Sequence, residues 1–313
     1  MTRARIARLA SMAVMAAGIV LLAYFAWRFP WAHTASVLRT ADAGWLVVAA
    51  LLNMLSLAAK GGSWHLLMRG SSRGRLGVST AATYIGAAVG SFGLSVAGEA
   101  ARVRYVTART GITLAAAIGA LVASRAVEAV ALLALIAAGS SLLGAAPWAH
   151  TLRAGALTVL ALVALLSSRT ALMPVARRLP IRFQSLAGRW LIAARAHDTR
   201  GALALALINW LAQWGTYYAA CRAVLLPAAP MLSLTALILA NVGGIFRLTP
   251  GNVGVLQAAF ALAAIPHDVA SAGAVAAALL LQAVQIIPVV ATGILLVSLS
   301  PAPIHPEDEP AAG

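Results

Sequence analysis

Apolar stretches of two lengths alternate with clusters of arginine along this chain. Residues 9–29, 45–67, 112–139, 154–173, 201–226 and 271–298 are each long enough to cross a hydrocarbon core, which takes about 20 apolar residues as a helix. Between them lie shorter pieces. Residues 78–96 are rich in Gly, Ala and Ser, and the charged stretch 98–110 that follows is too short to cross. Residues 233–246 and 253–265 span only 13–14 residues each, on either side of Arg247-Leu248-Thr249-Pro250-Gly251-Asn252. The pattern predicts six full spans and two helical hairpins, with Pro288 as a kink in the last span.

Charge places these pieces on sides. The first span follows Arg3, Arg5 and Arg8 and ends in the interfacial cluster Trp27-Arg28-Phe29-Pro30-Trp31, which reads as an uncleaved anchor helix rather than a signal peptide. If 78–110 forms one re-entrant hairpin from the cytoplasm and 233–265 forms another from outside, sixteen arginines face the cytoplasm. Four basic residues then lie outside, and Lys60, Arg125 and Arg247 sit at membrane depth, with Arg102 a borderline member of the cytoplasmic group. A simple crossing by 78–96 alone would turn the arginine-rich stretch 177–200 outward, against the positive-inside rule. Paired short crossings preserve the same sides, so charge does not separate them from hairpins; length favours hairpins. The expected architecture is an all-α polytopic membrane protein of about six transmembrane helices plus two oppositely oriented hairpins, arranged as an inverted repeat. One membrane domain (1–300) precedes a short disordered acidic tail (301–313), and both termini are cytoplasmic.

Composition narrows the chemistry. Of 313 residues 62% are hydrophobic and 10% charged, which excludes a soluble globular domain. The net charge of +15 would suggest a nucleic-acid partner, but its arginines punctuate membrane spans, so no such partner is expected. One cysteine, Cys221, permits neither an intrachain disulfide nor a cysteine metal cluster, and the six histidines lack metalloprotease spacing. The one lysine, Lys60, follows Ala59, so there is no phosphate-binding loop of the ATPase kind. No cofactor and no catalytic role are expected. Gly93-Leu94-Ser95-Val96-Ala97 lacks the final glycine of a nucleophile elbow, and no histidine lies in a later membrane core to activate Ser95, since His267 sits at an interface.

Ionisable residues at the bilayer centre cost roughly 2.5–3.5 kcal/mol each on insertion scales, so those that persist mark function or pair with one another. Glu99 with Arg102, and Arg125 with Glu128, stand three residues apart, the spacing that puts both members on one helix face. A pair of local salt bridges is the structural alternative to a lipid-headgroup site. Arg247 lies beside Pro250-Gly251-Asn252-Val253-Gly254, where a broken helix restarts and its free N–H groups form an anion site; an ordinary loop is the alternative. Gln282 and Gln285 could line a cavity or bond between helices, Gly86 and Gly90 read as close packing, and Trp210, Trp214, Tyr217 and Tyr218 read as packing.

The order Gly98-Glu99-x-x-Arg102, Arg125-x-x-Glu128 and Thr249-Pro250-Gly251-x-x-Gly254 resembles the lysylphosphatidylglycerol synthase transmembrane, or flippase-like, family over nearly the whole chain. The resemblance implies a lipid-translocating domain; in full-length synthases a soluble aminoacyl-transfer domain follows it. Only 13 residues follow Ser300 here, so lipid aminoacylation is not expected of this chain. Ser95-Val96-Ala97 stands where the family has a proline, and Asn252 and Gln257 stand where it has glycine and glutamate. Without that acid an anionic or glycosylated lipid is as good an expectation as a lysylated one. The expected function is a flippase for a phospholipid or other phosphate-bearing lipid of the cytoplasmic membrane. Its site would use Glu99, Arg102, Arg125, Glu128, Arg247, Pro250, Gly251, Asn252, Gly254 and Gln257. The alternative is an accessory protein that presents lipid to a lipid-modifying enzyme partner.

Overall fold

The computed structural model describes residues 31–68, 76–92, 95–140, 147–166, 197–227, 229–244 and 254–299. Among them every regular element is a helix: α1 (Trp31–Arg39), α2 (Ala43–Met68), α3 (Leu76–Phe92), α4 (Ser95–Thr110), α5 (Leu114–Gly139), α6 (Pro147–Leu166), α7 (His197–Ala223), α8 (Ala229–Gly244), α9 (Val255–Ala264) and α10 (Ser271–Ser298). The expected first span, most of the basic stretch 177–200, and Arg247, Pro250, Gly251 and Asn252 lie outside the described residues.

Helices α2, α5 and α10 are the long apolar ones, with mean hydropathy of 1.6, 2.0 and 2.2 over their best windows, and each is long enough to cross a bilayer. Large aliphatic side chains on these helices, such as Leu51, Val122 and Ile294, are about two-thirds exposed on the protein surface. Such a surface suits hydrocarbon, and helices are the form in which a chain satisfies its backbone there. The protein is an all-α polytopic membrane protein. The stretch 271–298 is helical from end to end, and the helix continues through Pro288.

Several helices depart from the sequence reading: α7 and α8 each begin four residues before the expected 201 and 233, and two others differ more. The short α1 was not anticipated; it packs on α10, with Thr34 buried and its hydroxyl 3.5 Å from the Ala272 carbonyl oxygen. Helix α6 begins at Pro147, seven residues before the expected start, because proline suits a first helical position, where its missing N–H has no bond to lose.

At the centre α2 and α7 pack along much of their length, and α10 contacts both. The two helical hairpins fasten to this unit. The α3–α4 pair lies against α2 and α10, with α4 also reaching α5, and the α8–α9 pair lies against α7 and α10. Glycines set the first hairpin's spacing. A Cβ on Gly86 would stand 2.7 Å from the Gly98 carbonyl oxygen and 2.9 Å from Cβ of Arg102, so α3 and α4 meet backbone to backbone. The same helix is gripped on two further sides, where a Cβ on Gly61 would meet Thr80 Cα at 2.8 Å and one on Gly293 would meet Ala88 Cβ at 2.6 Å. The second hairpin is held by an apolar cluster that includes Leu232, Leu237, Phe260 and Leu281, all fully buried.

Candidate functional site

Five charged side chains from three helices converge where α4 meets α2 and α5. The i,i+3 spacing places Arg125 and Glu128 on one face of α5, with Nη1 of Arg125 2.8 Å from Oε2 of Glu128. The second expected pair is looser, with Arg102 Nη1 3.7 Å from Glu99 Oε2 on α4. The two pairs are joined, because Arg125 also forms an ion pair with Glu99. Lys60 on α2 completes the set at 3.4 Å from Glu128 Oε2. Glu128 has further partners: the Ser124 hydroxyl approaches its other oxygen at 3.5 Å, and the Trp210 indole N–H donates to its main-chain carbonyl at 2.8 Å.

Three cations against two carboxylates leave one positive charge in excess. That excess is centred on Arg102, which is 2% exposed. Its guanidinium stacks over the buried Trp64 ring, 4.1 Å from the centroid, a favourable cation–π geometry. Its Nε and Nη2 have no hydrogen-bond partner among the described residues. A buried guanidinium with unused donors is costly unless something binds it. Its planar fork of donors suits the oxygens of a phosphate or carboxylate.

Two cavities flank this cluster. One, of about 260 Å³, lies between the α3–α4 hairpin, α2 and α10; Thr83, Gly90, Ser91, Glu99, Arg102 and Gln282 are among the residues that line it. The other, of about 340 Å³, is lined by Ser56, Arg125, Glu128, Asn209, Gln213 and Asn241 among others, so α2, α5, α7 and the second hairpin enclose it. Leu57, Lys60 and Gln285 belong to both linings, so these three side chains stand as the partition between the two spaces.

The structure thus unites Glu99, Arg102, Arg125 and Glu128 of the expected site residues. Gly254 and Gln257 have a different place. Gly254 takes a φ of 86°, a conformation that side chains resist, and starts α9. The Gln257 side chain accepts from the Gly254 N–H at 2.7 Å and donates to Gln282 Oε1 at 2.7 Å. It therefore caps α9 and ties it to α10, and it reaches the first cavity through Gln282. The Gly254 N–H, one of the donors expected to bind an anion, is engaged by this cap.

Sequence reasoning recognised Lys60 as deep but did not assign it to the site, and it missed Ser56, Asn209, Gln213 and Asn241. A signal was present. Ser56 with Lys60, and Asn209 with Gln213, each stand four apart on otherwise apolar helices, which aligns each pair on one face. Their meeting is a contact across α2 and α7: the Ser56 hydroxyl lies 2.8 Å from Asn209 Oδ1 and 3.0 Å from Gln213 Oε1. Trp210 and Tyr217, read as packing, also line the larger cavity, and Tyr217 stacks on Phe260 with centroids 5.6 Å apart.

The comparisons with known proteins agree with this architecture. The family model described as lysylphosphatidylglycerol synthase TM region matches residues 8–293. A search of curated proteins returns no match.

Proposed function

The chain belongs to the lysylphosphatidylglycerol synthase transmembrane-region family, and from that premise we propose that it moves a phosphate-bearing lipid between the leaflets of a cytoplasmic membrane. The observation that carries this reading is the partition. Lys60 and Gln285 separate two cavities with charged side chains in their walls, the under-partnered Arg102 in one and Arg125 in the other. A lipid phosphate passing the partition would exchange one guanidinium for another while its acyl chains stay in hydrocarbon. The carboxylates keep the cations from holding the phosphate too tightly, since passage requires binding weak enough to leave.

In this reading the protein is a transporter rather than an enzyme, both termini face the cytoplasm, and a lipid-modifying enzyme is its partner as supplier of substrate. The test is headgroup movement in proteoliposomes, with tail-labelled phosphatidylglycerol as the first probe and the rate compared with protein-free vesicles. The unaltered protein should exceed the protein-free rate several-fold. Arg102→Gln and Arg102→Lys should both reduce movement at least about tenfold, because a lysine cannot supply the planar fork. Equal rates with and without protein, across a panel of lipids, would remove the transport reading.

A further inference from the structure

We infer that the larger cavity is a subsite for an uncharged, polyhydroxylated headgroup, of the inositol or glycosyl class, and not for a cationic aminoacyl headgroup. The inference rests on the reading of the site as one for a lipid phosphate, and it comes from how each polar group in that cavity is already used.

A cationic headgroup needs a carboxylate to receive it. Glu128, the carboxylate in the lining of the larger cavity, is taken by Lys60 and Arg125; Glu99 faces the smaller cavity, where it pairs with Arg125 and, at 3.7 Å, with Arg102, and its Oε2 makes no hydrogen bond among the described residues. An incoming ammonium would meet one excess positive charge and would have to displace a resident cation. Like charges brought together inside a protein repel more strongly than in bulk water.

The rest of the larger cavity offers neutral hydrogen-bonding groups of both kinds. The single Ser56 hydroxyl proton can go to the carboxamide oxygen of either Asn209 or Gln213, and the N–H groups of these two amides add donors for a ligand. Asn241 is arranged the opposite way. Its NH₂ donates to the Leu237 carbonyl at 2.8 Å, which leaves its side-chain oxygen as an acceptor. The Trp210 and Tyr217 rings supply apolar surface in the same lining. Each hydroxyl of a polyol both donates and accepts, and a sugar or inositol ring also presents C–H faces, so donors, acceptors and aromatic surface match it together. The cavity volume of about 340 Å³ falls in the range of small-ligand sites. Arg125 and Lys60 at its charged side would hold the phosphate that joins such a ring to glycerol.

The inference is tested on the purified full chain by binding of short-chain lipids in detergent, with phosphatidylinositol, lysylphosphatidylglycerol and phosphatidic acid as probes. Phosphatidylinositol should bind at least about tenfold more tightly than lysylphosphatidylglycerol, the effect of roughly two neutral hydrogen bonds. In Asn209→Leu/Gln213→Met the preference for phosphatidylinositol over phosphatidic acid should fall about tenfold. Equal or tighter binding of lysylphosphatidylglycerol to the unaltered protein overturns the inference, and that comparison needs no variant to fold. An unchanged preference in a folded double variant overturns it as well. Failure of transport is separable: headgroup preference without movement in vesicles leaves the subsite standing and removes the flippase reading. Movement without headgroup preference does the reverse.

Discussion

Two cations, Lys60 and Arg125, meet the same carboxylate oxygen of Glu128 at 3.4 and 2.8 Å, while Glu128 itself is 5% exposed. Removing that charge strands Lys60 and leaves Arg125 with Glu99 alone. Breaking a fully buried pair costs about 3–5 kcal/mol, and the 41% exposure of the Arg125 side chain discounts this here. Glu128→Gln should therefore lower stability by about 2–3 kcal/mol, read as an earlier thermal unfolding in detergent. Adding Lys60→Met should restore part of the loss, since it removes the stranded cation. If the double variant unfolds earlier than Glu128→Gln, the Lys60–Glu128 pair is not the source of the effect. At this scale the sequence was half legible. The Arg125–Glu128 pair follows from helical spacing alone. The Arg125–Glu99 link and the place of Lys60 depend on which helices are neighbours, which spacing within one helix does not encode.

Helix α3 has little room to move, since α2, α4 and α10 all approach it through small residues. Any Cβ on Gly98 would fall within 3.1 Å of Gly90 Cα and closer still to the Gly86 carbonyl oxygen. Gly98→Val should force the hairpin apart, cost about 1–3 kcal/mol or more, and displace Glu99 and Arg102 with it. Gly119 on α5 is the matched control, because nothing lies within 4 Å of a Cβ added there. Gly119→Ala should be neutral or stabilising by up to about 1 kcal/mol. A comparison of thermal midpoints checks both, and equal effects would mean that close packing at Gly98 is not what holds the hairpin. The helices themselves were readable from apolar run length. The two hairpins were readable from short runs broken by Gly and Pro. The start of α6 was not: the apolar run begins at 154, whereas Pro147 opens a helix that carries His150 and Arg153 as well.

For the whole molecule the arrangement of cavities makes a topological prediction. Ser91 lines the space beside the first hairpin and Asn241 the space beside the second. If the hairpins enter from opposite sides, a membrane-impermeant thiol reagent should label Ser91→Cys from the cytoplasmic face and Asn241→Cys from the other. The native Cys221 is fully buried, so the background is low. Labelling of both positions from one face would rule out opposed hairpins. The inverted arrangement was suggested by hydropathy alone. The union of the two spaces at a single partition was not, because it comes from Leu57, Lys60 and Gln285 being shared by helices distant in sequence.

That partition has a chemical consequence. Lys60 is the chain's one lysine, so its ε-amine is the sole side-chain amine in the protein. Acylating and reductively alkylating reagents, which elsewhere scatter over a surface, have one internal target here besides the N-terminus. A single mass increment then reports on the partition between the two cavities. Because a bound phosphate would shield that amine, the extent of modification becomes a readout of occupancy that needs no engineered residue and no labelled lipid.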